Sequence, residues 1–280
     1  MVRNFAVCAG LLMASVLPAA SQPAPDTIAQ FVASFATPTH TTGKIARWKS
    51  GICLLTVGQQ PAVTKFVSDR VKEVAVQVGA PVNDSPTCTP NIEIVFTTLA
   101  QPLLDSVRAR QSEYLGYANT TAERESLATV TRPLQAWYST QTTDLRGYSQ
   151  IDSAGARLNK NFSDAILARS TGSLISDGVS SDFNHILIVA DITKLKGYEA
   201  GPMADYITML ALADLGSLDT CQPLPSIENM LAKGCESKKG ALTENDIAYL
   251  RGLYRMSPDR KLLSSQRNEI ADTMKTALAR

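Results

Sequence analysis

Four cysteines, Cys53, Cys88, Cys221 and Cys235, constrain this chain most. Each pair that bonds must bring two Cα atoms to within about 7 Å of one another. A fifth, Cys8, lies in an N-terminal segment that reads as an export signal. That segment has one positive side chain, Arg3, then an uncharged apolar run over residues 5–20, then Ala19-Ala20-Ser21 before Gln22-Pro23. Charge, apolar run and small residues in that order mark a secretory signal peptide over residues 1–21. The run is shorter than the roughly 20 residues a spanning helix needs, so an uncleaved anchor is the lesser reading. Cys8 leaves with the signal. An exported destination, periplasmic or extracellular, suits cysteines paired as disulfides. Four cysteines allow three pairings; sequence proximity favours Cys53–Cys88 and Cys221–Cys235. A zinc site of the four lacks the close Cys-x-x-Cys spacing such sites use.

Net charge is +1 and the charged residues are dispersed. No basic stripe offers itself to nucleic acid or to an anionic membrane. After the signal, residues 22–43 read as a short helix and linker, and residues 44–280 as a single domain with a C-terminal helix, because no linker or repeat divides them. Ile28, Phe31, Val32 and Phe35 fall on one helical face. Residues 52–57 read as a strand, 66–78 as a long helix, 92–96 as a strand and 103–110 as a helix. Residues 134–139 alternate apolar and polar, as an edge strand does. Residues 143–183 read as loops with a helix near 162–168. Residues 186–190 are apolar throughout, fit for a strand buried on both faces. A helix opens at Gly201-Pro202 and is expected to reach Leu215, stopped by Gly216. Thr243 and Asp246 are placed for a near capping box, with Leu242 and Ile247 as a staple. A last helix is expected from Ser257-Pro258. The order is α+β.

Three segments carry a resemblance: Met203-Ala204-Asp205-Tyr206-Ile207-Thr208-Met209-Leu210, Pro225-Ser226-Ile227-Glu228-Asn229-Met230, and residues 242–254. Their order is similar to the end of zincin-like metallopeptidases of the metzincin type, over about residues 44 to 256. The first segment sits where that family has its zinc-binding helix, the second near its methionine turn, the third at its final helix. The chain also resembles a group of exported bacterial proteins of unknown function with an Arg-Trp pair before the first strand, here Arg47-Trp48. The resemblance implies a mixed twisted sheet, a long helix after the first strand and C-terminal helices. It does not carry the family's chemistry. The two helical ligand positions, four residues apart so that both face one metal, hold Asp205 and Met209. The general-base position holds Tyr206 and the third ligand position Leu215. The chain's two histidines, His40 and His185, lie outside this segment. One carboxylate and one thioether hold Zn²⁺ poorly, so neither a metal nor any other cofactor is expected.

Asp205, alone on an apolar helix, could be a cleft carboxylate of raised pKa or a helix-dipole partner. His185, three residues after Asp182, could be catalytic or a strand-end histidine paired to a carboxylate. Trp137 and Tyr138 lie on the expected edge strand, which could take an added peptide strand; Met209 and Asp205 complete the candidate binding set. Arg47-Trp48 could form a cation–π pair. The reading that follows is a non-catalytic binding or scaffold protein of the cell envelope, a zincin-like pseudoenzyme whose partner is a peptide or envelope protein. The alternative is a hydrolase with a non-zinc apparatus around Asp205 or His185.

Overall fold

The computed structural model describes residues 23–152, 173–236 and 238–279. The signal segment, Cys8 and the helix expected near residues 162–168 lie outside the described residues. Among those residues are five strands and seven α-helices. Helix α1 (Pro25–Phe35) precedes β1 (Leu54–Val57), α2 (Pro61–Val78) and β2 (Ile92–Thr97). Then come α3 (Ala100–Arg110), a 3₁₀ turn (Ser112–Leu115), α4 (Thr121–Leu127), and the hairpin of β3 (Leu134–Thr143) with β4 (Ser149–Ile151). Strand β5 (Ser180–Asp191) leads to α5 (Ala200–Leu212), a second 3₁₀ turn (Ile227–Met230), α6 (Glu244–Arg255) and α7 (Leu263–Leu278). No helix of the described residues is long and apolar enough to cross a membrane.

The sheet runs β1-β2-β5-β3-β4. β1, β2 and β5 are parallel, while β3 is antiparallel to β5 and to β4. The chain thus has a mixed sheet with helices on both faces. On one face the even positions of β5 (Ile186, Ile188, Ala190) join Val71, Val74, Leu210, Tyr249 and Ile270 in the larger core. On the other, Leu187, Val189 and Trp137 pack on Ala100, Leu104 and Leu115 in a smaller one. The large core also holds an aromatic cluster, with Tyr249 edge-on to Phe31 and Phe35.

Cys53 pairs with Cys88 and Cys221 with Cys235, the pairing that proximity favours, with Cα atoms 6.1 and 5.5 Å apart. The first ties the start of β1 to the loop before β2; the second closes the loop between α5 and α6. In the chain-entropy account each contributes about 3–4 kcal/mol.

Several boundaries differ from the sequence expectation. β5 begins at Ser180, not at residue 186. Its first residues are polar and buried, and side chains satisfy them: Ser181 bonds Thr39, and the Thr143 hydroxyl donates to Asp182 at 2.6 Å. Such a strand is invisible to a search for apolar runs. β3 is likewise four residues longer than expected, with a partner strand, β4, where loops were expected. α5 ends at Leu212, with Ala213 already extended, so Gly216 is not its stop. α7 starts at Leu263, because Ser257 to Arg260 form a turn held by Glu269. The capping box of α6 is present as expected, and a second one, Thr120 with Glu123, starts α4.

Candidate functional site

Asp205 is almost fully buried, and both its oxygens are used. Arg70 Nε of α2 donates to Oδ1 at 2.5 Å, and the Leu242 amide donates to Oδ2 at 2.9 Å. The carboxylate therefore ties α5 to α2 and to the start of α6. Replacing Arg70 by Met is expected to cost about 2 kcal/mol, below the usual figure for an orphaned buried charge because Arg70 is 29% exposed and water screens it. Chemical denaturation at pH 7 measures this; an unchanged midpoint would mean the pair carries no stability.

Met209 is wholly buried in the large core. His185 is on the opposite face of the sheet, alternating with Ile186 and Ile188, whose side chains meet α5. Its ring stacks on Tyr114 with centroids 3.8 Å apart. Its Nε2 is 3.5 Å from Glu93 Oε1, an ion-pair distance without hydrogen-bond geometry. Burial lowers its pKa, against the opposing pull of Glu93, so the imidazole is neutral at pH 7. Asp182 turns instead to Thr143 and Ser180. The structure thus puts the sheet between Asp205 and His185 and does not bring them together. Arg47 and Trp48 form no cation–π pair: Arg47 Nη1 donates to the Tyr254 carbonyl at 2.5 Å, and Trp48 Nε1 donates to Ala211 at 2.8 Å.

The side chains of Trp137 and Tyr138 also face inward. Trp137 Nε1 donates to the Leu127 carbonyl at 2.5 Å, and the Tyr138 hydroxyl lies 3.0 Å from both the Leu210 and Ala213 carbonyls. What β3 leaves open is its backbone. Among the described residues β4 covers it only at residues 141–143. The Asp191 amide donates to the Pro133 carbonyl, which fixes the phase of the β3–β5 ladder. Since antiparallel partners alternate, Gln135 and Trp137 bond toward β5, and Leu134, Ala136 and Tyr138 turn their N–H and C=O groups to the outer edge. Beside that edge runs a groove of about 440 Å³. Its lining includes Gly116, Tyr117, Thr37, His40 and Asp214. Gly116 has φ +92°, and a Cβ there would come within 2.6 Å of the Tyr138 carbonyl, so only glycine lets the chain pass so close.

Asp214, one residue past the cap of α5, has no hydrogen-bond or ion-pair partner among the described residues. Burial alone pushes its pKa up to about 7. Asp214 lines the groove and is half-buried, so water relieves part of that cost. Sequence reasoning missed it, although its setting in Met-Leu-Ala-Leu-Ala-Asp-Leu is as apolar as that of Asp205. His40, stacked on Tyr117 at 5.4 Å, and Arg132, bound to Asp219 through Nε at 2.8 Å, line the same groove.

Behind α5 the 3₁₀ turn is held by Asp246, which accepts from Ser226 Oγ at 2.6 Å, the Ile227 amide at 3.0 Å and the Thr243 amide at 2.8 Å. Glu228 beside it is 1% exposed, and neither of its carboxylate oxygens has a hydrogen-bond partner. Burial, then the nearby Asp246, raises its pKa well above its ordinary value. Among the described residues no three His, Cys, Asp or Glu side chains gather closely enough to hold a metal ion.

Comparison with known proteins found no matching family, no matching curated protein and no matching solved structure.

Proposed function

We propose that this chain is an exported, non-catalytic peptide-binding protein of the cell envelope, a zincin-like scaffold that holds an extended segment as an added strand on β3. The observation that carries the reading is the outer edge of Ala136 and Tyr138, which line the groove and whose outward backbone groups have no strand partner among the described residues. Added strands gain affinity from main-chain hydrogen bonds and specificity from the pockets beside them. The zincin-like part of the reading has its support in the order of elements. A long helix follows β1, an apolar helix follows the last strand, and the three resembling segments pack on one another through Asp205 with Leu242 and Asp246 with Ser226. Two disulfides fit export. A hydrolase built on Asp205 and His185 has less support, because the sheet separates them and Arg70 occupies Asp205.

The test uses a display library of random peptides of about six residues, the length of a typical strand. Binders are expected to shift the amide resonances of residues 134–138. Methylating alternate peptide nitrogens should abolish binding in one phase and spare it in the other. Ala136→Pro removes a donor that the β3–β5 ladder does not use, and proline is tolerated on an open edge. It should weaken binding at least about tenfold, the worth of one lost hydrogen bond in a dry site, with the thermal midpoint nearly unchanged. Binders that ignore N-methylation in both phases would sink the strand-addition reading.

A further inference from the structure

We infer that the groove selects peptides by a basic residue, lysine or arginine, placed against Asp214 beside Tyr138. This rests on the strand-addition reading and adds to it the chemistry of the guest. Asp214 lines the groove and has no partner among the described residues, so a bound cation would be its first. The Leu210 carbonyl, in the last turn of α5, and the Ala213 carbonyl just beyond the helix both meet the Tyr138 hydroxyl beside it. The C-terminal end of a helix carries partial negative charge, so helix end and carboxylate together present a cation-seeking corner. The groove's own basic side chains leave it unfilled. Arg132 is engaged by Asp219, and His40 is stacked on Tyr117, with no ion pair to Asp214. Asp214 is half-buried at the groove wall, which makes its charge costly when alone and makes a salt bridge there stronger than one at the open surface. An apolar or acidic side chain at the same position would leave that charge unanswered.

The experiment compares two peptides from the library's binders that differ at one position, lysine in one and norleucine in the other, which removes the charge and keeps the stem. At pH 8 the lysine peptide is expected to bind at least about tenfold tighter, as a charge-assisted pair in a dry setting would give. Asp214→Asn should erase the difference while leaving the norleucine peptide bound as before or better. Equal affinity of the two peptides for the unmodified chain would overturn the inference and leave the edge reading standing. A lysine preference that survives in Asp214→Asn would also overturn it, by assigning the charge to another residue. If neither peptide binds or shifts residues 134–138, the edge reading falls and this inference with it.

Discussion

Asp246→Ala is expected to destabilise the chain by about 4 kcal/mol and to lower the melting temperature by about 10 °C. The carboxylate is buried and receives three donors from two elements: Ser226 Oγ, the Ile227 amide and the Thr243 amide. Alanine leaves all three buried without an acceptor, and each orphan costs about 1–3 kcal/mol. It also breaks the α6 capping box, because Asp246 is the residue that reaches back to Thr243. Asp246→Asn separates geometry from charge. Its amide oxygen can serve the two backbone donors while its nitrogen faces Ser226 Oγ, which can turn to accept. Burial holds the Asp246 pKa above its ordinary value in spite of the donors, so losing the charge costs little. The asparagine variant should therefore lie within about 1 kcal/mol of the parent. Calorimetry of the three proteins at pH 7 measures both effects. An alanine variant as stable as the parent would show that the 3₁₀ turn and α6 are held by packing alone.

Asp214→Asn is expected to stabilise the chain, with a gain that grows with pH. The carboxyl titrates near 3.8 in the unfolded chain and near 7 in the fold. Between those values the folded state holds a proton that the unfolded state has released, so stability falls as pH rises through this window and levels off above it. Asparagine stands in for the neutral acid and escapes that loss. At 1.36 kcal/mol per pH unit the ceiling is about 4 kcal/mol, and water in the groove brings it to about 2. The groups around Asp214 do not reverse the sign. Tyr138 and Tyr249 feel its charge but remain protonated, because burial holds both phenols above their usual range. Arg132, committed to Asp219, and His40 line the groove without pairing to Asp214. Denaturation midpoints of parent and variant should coincide near pH 4 and separate steadily toward pH 8. A constant gap, or none, would mean that the carboxylate is hydrated in the fold.

How much of this could be read in advance depended on where the apolar side chains were. Helix α6 was legible because its cap residues and its face of Leu250 and Leu253 are local signals. The apolar half of β5 was legible for the same reason. Its first half was not, because Ser180, Ser181 and Asp182 are buried through hydrogen bonds to residues distant in sequence. The candidate residues divide in a similar way. The aromatic pair lies on β3, as its alternation implied, yet both side chains face inward and are hydrogen-bonded, so the proposed binding edge rests on the backbone rather than on them. No side chain announces an N–H that lacks a partner; among the described residues that depends on β4 pairing only with residues 141–143. Asp205 and Asp214 have equally apolar neighbours in sequence, and only the fold shows that Arg70 reaches one while no described residue pairs with the other.

The short reach of β4 has one more consequence. Its pairing with residues 141–143, together with the Asp152 amide on the Thr140 carbonyl, seals the far end of β3. Among the described residues the unsealed stretch of β3 is residues 134–138, about 17 Å of chain at 3.4 Å per residue, so the added strand proposed above is held to one brief guest.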